Sequence, residues 1–413
     1  MDNTALMNTK SLVYPLLIVC AFAVGLSTAY AGSREQAKRI HDRLVGTPPT
    51  EQCLDQMTAA IEGGTEADIL AAALDAIDHD PTDPTDQCTD PSFYNVTLKN
   101  MVAPWTNEEQ TVFTPLNDYT ATVVGVVRDE VDFRTILYDD ILYVGAGGLG
   151  LPPYSVSNND HYETMDNDGV DLRDNLVPTS QSTVAGLASS ATAGVMTTRA
   201  AAKAFFIDGT NRAMFRFTFL NHMCTDLDQI KDIAAAPDRV RQDVSRSPGG
   251  DSRIYLNTCV GCHAGMDPMA QAFAYYDYAY DSGADPEAQS GQLVYTAGQV
   301  HPKYHINSEN FKPGYVTPDD QWDNYWRTGL NTELGWDEAL PGSGSGAKSL
   351  GEELANSTAF ARCQVEKTFK AVCLRPAADD AEKAVIDGMI SEFQSDYNLK
   401  QIFARSAVHC RGE

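Results

Sequence analysis

Two cysteines ten residues apart in TAFARCQVEKTFKAVC, Cys363 and Cys373, constrain the fold of this chain more than any other feature. The stretch is spaced as a single helix. Ten helical residues rise roughly 15 Å, too far for the two thiols to bond to each other. One or both must bond elsewhere, and Cys410 is the natural candidate. Cys53 and Cys88 read as a local pair near the other end, and the connectivity of Cys224 is open.

The N-terminus points to the compartment in which such bonds form. Lys10 supplies a positive end, SLVYPLLIVCAFAVGLSTAY an apolar segment, and AYA before Gly32 a small-residue cleavage site. Residues 1–31 are therefore expected to be a signal peptide cleaved after Ala31, which makes the protein periplasmic or secreted. A retained anchor is the rival reading, because the apolar run approaches bilayer length. Cys20 is a poor lipoprotein acceptor, since Val19 precedes it. No later segment is apolar enough to span a bilayer. Cleavage leaves eight cysteines in an oxidising environment that favours disulfides.

Within that set, Cys259, Cys262 and His263 form the one C-x-x-C-H of the chain, inside NTCVGCHAGMDPMAQAFAYYDYAYD. Two thiols one helical turn apart can reach the two vinyl groups of a haem, and the adjacent histidine can turn its imidazole to the iron. The expected cofactor is one covalent haem c. Zinc would need two further ligands at a partner spacing, and neither a second C-x-x-C nor an H-x-x-H appears. A plain Cys259–Cys262 disulfide would leave His263 unexplained. If the pair holds haem, six cysteines remain, enough for three bridges.

The segment CVGCHAGMDPMAQAFAYYD resembles the C-x-x-C-H-x-x-M-D-P haem segment of the planctomycete-type cytochrome c family, exported proteins built from domains of unknown function. The likeness extends upstream to DFRTILYDDILYV and GVMTTRAAAKAFFIDGTNRAMFRFTFLNHMC. Downstream it reaches ANSTAFARCQVEKTFKAVCLRP and FQSDYNLKQIFARSAV, so it covers roughly residues 90 to 410. The chain is shorter than many such relatives and lacks their additional haem or carbohydrate-binding modules. The resemblance implies a cytochrome c-like helical fold, thioether attachment at Cys259 and Cys262, and His263 as proximal ligand.

What sits on the other face of the iron is open. A distal Met raises the reduction potential, a distal His lowers it, and an open site permits ligand or peroxide chemistry. The candidates are Met266, Met223, His301 and His305, with His222 and Met389 behind them. Met266 lies only three residues after His263, and one turn does not place two side chains on opposite faces of an iron. Met266, Asp267 and Pro268 therefore read as the turn leaving the motif, with Asp267 capping the next helix and Met269 packing the pocket. Phe273, Tyr275, Tyr276, Tyr278 and Tyr280 would wall a haem or serve as plain core. Arg239, Arg241, Arg246 and Arg253 would pair with propionates, or with Asp238, Asp243 and Asp251 nearby.

The surrounding chain is expected to be mainly α, with irregular loops and a C-terminal helical bundle. The 413 residues suggest several units. We place an N-terminal helical domain at 32–90, a central helical domain at 91–250, a haem-binding segment at 251–310 and a C-terminal helical domain at 311–413. SREQAKRIHDRLVG and EADILAAALDAI are helical about a GTPPTEQC turn, and VDFRTILYDDILYV is the most helix-like piece before the motif. Another helix runs from about Asn211 to Cys224, SGQLVYTAGQVH suggests a hairpin, and three or four helices follow Leu350. NNDHYETMDNDGVDLRDN suggests calcium, but its offsets miss the EF-hand loop, and a solvated loop is the simpler reading. In GSGSGAKSL, Ala347 precedes Lys348 where a P-loop requires glycine.

These features predict an exported monohaem c-type cytochrome that transfers single electrons. The rivals are a haem peroxidase or oxidoreductase subunit with an open axial site, and a scaffold in which haem is structural. A net charge of −27, unchanged by removal of the signal, excludes nucleic acid and anionic lipid as partners and would steer a basic redox partner.

Overall fold

The computed structural model describes residues 32–78, 86–207 and 209–412. The expected signal segment and its cleavage site lie outside these residues. The described residues are 53% helical and 6% strand, so the mainly-α expectation holds.

At the N-terminus, Ala37, Ile40, His41, Leu44 and Val45 recur at helical spacing and form the buried face of helix α1 (Ser33–Val45). The supposed GTPPTEQC turn is shorter than expected. Thr50 caps a second helix, α2 (Glu51–Gly63), by accepting from the Cys53 N–H. Thr65 and Asp68 form a capping box that starts α3 (Glu66–Ile77). The next long helix, Asp118–Arg128, is buried along nearly its whole length and runs through the centre of the molecule.

Four helices close the chain: Gly346–Ala355, Thr358–Cys373, Asp380–Asp396 and Leu399–His409. Ser357, Asp379 and Asn398 cap the last three through their side chains. The Leu399–His409 helix packs against α1, α3 and Thr358–Cys373, so both ends of the chain share one hydrophobic core. Buried Lys400 ties three segments together: it donates to the Arg128 carbonyl at 2.7 Å and meets Asp78 and Glu130.

Three small antiparallel sheets decorate this helical body. Strand β1 (Leu142–Gly145) pairs with β2 (Leu176–Thr179), β3 (Tyr276–Ala279) with β4 (Gln292–Tyr295), and β5 (Gln321–Asp323) with β6 (Ser343–Ser345). The VDFRTILYDDILYV expectation is thereby corrected. Phe133–Leu137 is a short 3₁₀ turn, and the residues after it extend to meet β2. The SGQLVYTAGQVH segment contributes only one strand, and its partner is the aromatic run at β3. The acidic stretch after Asn158 carries a helix, Asp160–Asn167, whose buried His161 accepts from the Gly145 N–H at 2.9 Å.

Among the described residues three disulfides brace the body: Cys53–Cys88, Cys224–Cys363 and Cys373–Cys410. Cys363 and Cys373 do share one helix and bond outward from it, the latter to Cys410. No helix among the described residues is long and apolar enough to cross a membrane.

Candidate haem-attachment site

The motif is carried by a wide π-helical turn, Tyr255–Cys259, that runs directly into the helix Val260–Ala270. Positions 259, 262 and 263 are spaced i, i+3, i+4 and so share one helical face. Cys259, Cys262 and His263 are half-buried, while Val260, Gly261 and Ala264 through Ala270 are in the core. The side chains that carry chemistry therefore lie on the side of the helix that solvent reaches.

Two glycines set the depth at which this helix lies. The Asp232 N–H donates to the Gly261 carbonyl at 3.1 Å, and a β-carbon on Gly261 would stand 3.2 Å from Lys231 and from Ile233. A β-carbon on Gly265 would fall well inside the contact distance of the Trp326 indole, which is fully buried against it. Both neighbours reach the helix backbone because these positions lack a side chain.

Cys259 and Cys262 are the two free cysteines among the described residues; the other six are paired. The Cys262 sulfur lies 3.4 Å from the Leu227 carbonyl, and burial pushes its thiol pKa up. The Cys259 sulfur lies 3.5 Å from the Thr258 hydroxyl. No group of three or more His, Cys, Asp or Glu side chains able to hold a bare metal ion occurs among the described residues.

His263 Nδ1 lies 3.1 Å from Asp267 Oδ1, one helical turn along. Asp267 is fully buried. Burial alone would raise its pKa, but Arg212 and then His263 hold it well below the usual carboxylate range. Arg212 grips it with Nε at 2.8 Å and Nη2 at 3.0 Å, and also donates to Asp243 at 2.9 and 3.0 Å and to the Thr210 hydroxyl. The Arg241 N–H adds a contact at 3.3 Å. The expected capping role of Asp267 is thus corrected: the helix does not restart at Pro268 but runs through it to Ala270. The Arg212 fork and the hydrogen bond with His263 hold Asp267 in the helix interior. Pro268 merely leaves the Ala264 carbonyl without its intrahelical donor.

The surroundings of the exposed face are mixed: Asp228, Lys231 and Asp226 act on the Cys262 thiol, and exposed aliphatic side chains occur on the flanking segments. Ile254 and Leu256 stand exposed one to two turns before Cys262, and Ile233, beside Gly261, is 72% exposed. Leu330 is 71% exposed on a turn fastened to the same strip by Asn331, which donates to the Ile230 carbonyl at 2.7 Å. On the flank, Arg246 is sandwiched between the rings of Tyr255 at 5.0 Å and Phe311 at 4.3 Å.

The expected distal ligands are scattered. Met266 is buried on the motif helix itself, as is Met269. Met223 is buried with Ser357 Oγ at 3.5 Å from its sulfur, and Met389 lies in the C-terminal bundle beside Ser406. His222 is buried with Nε2 2.7 Å from the Tyr119 hydroxyl, and burial, then Lys367, pushes its pKa well down. His301 caps the Pro302–His305 turn with Nδ1, and its Nε2 is 3.2 Å from Asp277. His305 is exposed at the end of that turn. Asp267 is the hydrogen-bond partner of His263 among the described residues.

Phe273, Tyr276 and Tyr278 are core, the last two donating to the Ala191 and Ala288 carbonyls. The four arginines are engaged within the protein. Arg239 pairs with Asp323 and Arg241 binds Thr210, 3.5 Å from Asp243. Arg246 donates to backbone carbonyls, and Arg253 pairs with Asp251 while remaining 83% exposed. Arg212 was not anticipated. It lies 55 positions before Asp267, and nothing local marks it.

A cavity of about 800 Å³ lies elsewhere, lined by residues that include Glu108, Glu163, Arg199, Lys203 and Gln289. It contains none of the motif residues.

No protein-family model matches this chain, and neither a curated protein nor a solved structure matches it.

Proposed function

We propose that this chain is an exported monohaem c-type cytochrome, of the planctomycete-type kind, that transfers single electrons. Cys259 and Cys262 would hold the haem through thioethers, and His263 would ligate its iron. The observation that carries this reading is the division of the cysteines. Among the described residues six are consumed in disulfides, and the two left free share an open helical face with His263.

The donor set fits the group. Each thiol would add across a vinyl group, forming a carbon–sulfur bond while its proton went to the neighbouring carbon, so attachment would consume no oxidant. His263 has Nδ1 engaged by Asp267 and keeps Nε2 for a metal. Ile254 and Leu256, exposed just before the motif, and Ile233, beside Gly261, would supply apolar cover. When bound, the haem supplies a one-electron couple that the amino acids lack. Three disulfides favour an oxidising compartment, and the −27 charge favours a basic redox partner.

One observation favours the second reading, a peroxidase or oxidoreductase subunit with an open axial site. The partner of His263 is a carboxylate, which stabilises oxidised iron more than a backbone carbonyl does.

The test is expression with a cytochrome c maturation system. Haem that stays on the polypeptide through a denaturing gel and is lost in C259S and C262S supports the proposal. A folded wild-type chain carrying no covalent haem would overturn it. The reduced and oxidised spectra separate the two readings: six-coordinate low-spin iron marks a carrier, and high-spin iron an open site.

A further inference from the structure

We infer that Asp267 is the positioning residue for His263, holding its imidazole in one orientation and donating negative charge to it, and that Arg212 sets how much charge is donated. This rests on the haem reading above and deepens it.

The geometry is specific. Asp267 follows His263 by one turn on the same helix, and its Oδ1 lies 3.1 Å from Nδ1. A carboxylate is acceptor only, so Nδ1 carries the proton and Nε2 has its lone pair free for a metal. The carboxylate is wholly buried, so solvent does not screen it.

Its main other partner, Arg212, is charged, and the Arg241 backbone N–H adds a neutral contact. Arg212 makes a fork on Asp267 and a second on Asp243, and Arg241 Nε stands 3.5 Å from Asp243. Two carboxylates therefore face two guanidinium groups, so their charges balance within the cluster. In this balanced cluster Asp267 polarises the Nδ1–H bond without removing the proton. Such polarisation raises the basicity of the ligating nitrogen and favours the ferric state. Arg212 opposes it by drawing charge from the same carboxylate.

Two substitutions should therefore move the midpoint potential in opposite directions. Asp267→Asn keeps an oxygen acceptor but removes the charge. It should raise the potential by at least the equivalent of a tenfold change in the ferric/ferrous ratio, about 59 mV for one electron. Arg212→Gln leaves the Asp267 charge less compensated and should lower it. Potentials are read by spectroelectrochemical titration of holoprotein whose far-UV circular dichroism matches wild type. Shifts of opposite sign support the inference. Shifts of the same sign, or an Asp267→Asn potential within twofold of wild type on the same scale, overturn it.

A wild-type measurement keeps the idea testable should either variant fail to fold. In the chain produced without haem, nitrogen-15 spectra of labelled histidine should show His263 protonated at Nδ1 and bare at Nε2. The opposite tautomer overturns the inference. A wild-type chain that takes up no haem overturns the underlying reading instead, so the two failures are distinguishable.

Discussion

Cys224 and Cys363 are joined across 139 residues, with Cα atoms 5.2 Å apart, and the bond ties the end of the Arg212–His222 helix to the Thr358–Cys373 helix. Three residues beyond Cys224, the Leu227 carbonyl touches the Cys262 sulfur. The disulfide thus braces the strip on which the motif helix lies. Replacing both cysteines by alanine releases a long loop in the unfolded chain and should cost about 4–5 kcal/mol. Urea unfolding under non-reducing conditions should show the midpoint falling in the double variant. Covalent haem yield should fall with it, because the Leu227–Ile233 strip loses its anchor. An unchanged midpoint would show that the helix packing alone suffices.

Gly265 is a second control on the motif. The Trp326 indole occupies the space a side chain would need, so Gly265→Ala should destabilise the fold by about 1–3 kcal/mol through overpacking. Gly265→Val should be worse. Thermal melting of apo and holo protein checks this. The pairing Gly265→Ala with Trp326→Phe should recover part of the loss, which a purely conformational effect on the helix would not allow.

Met266 is buried one turn beyond His263 on the same helix, so it could not reach the far side of an iron held by His263 as proposed. Met266→Ala should leave the visible spectrum and spin state unchanged while lowering stability by about 2–5 kcal/mol, the usual result of truncating a buried methionine. A spectrum that changes to high spin in this variant would make Met266 a ligand after all.

How much of this was legible beforehand depended on the range of the interactions. The Thr358–Cys373 helix could be read because its apolar spacing and its two cysteines are local, and helical rise alone forbids their mutual bond. The C-x-x-C-H face was legible for the same reason. Leu142–Gly145 was misread as helix because its state is decided by pairing with Leu176–Thr179, more than thirty residues later. Asp267 was misread as a cap because Asp-Pro usually opens a helix. What overrides that preference is Arg212, brought in from another helix. The His263–Asp267 spacing was in plain view, but it gains its chemistry only from a buried environment that no short window contains. The distal side stayed undecided in the sequence, and its candidates are dispersed in the fold, several of them already bonded elsewhere.

Lys367 provides a pH test independent of haem. Its ammonium group is buried over the Trp105 ring at 4.0 Å and donates to the Asn221 carbonyl, with neutral His222 close by. Burial pushes its pKa down to about 7. The unfolded chain holds this proton up to the ordinary lysine value of about 10.4, so between the two values the unfolded state binds more protons than the folded one. The contribution of Lys367 to stability should therefore rise with pH from about 7 to about 10, by at most about 1.4 kcal/mol per pH unit, and stay flat below pH 7. Urea unfolding of wild type and Lys367→Met between pH 6 and pH 9.5 isolates that contribution as the difference between the two curves. The difference should favour the methionine variant at the acid end and shrink as pH rises. A difference that stays constant across the range would mean that the lysine keeps its charge in the folded chain, with the Trp105 face and the Asn221 carbonyl together offsetting its burial.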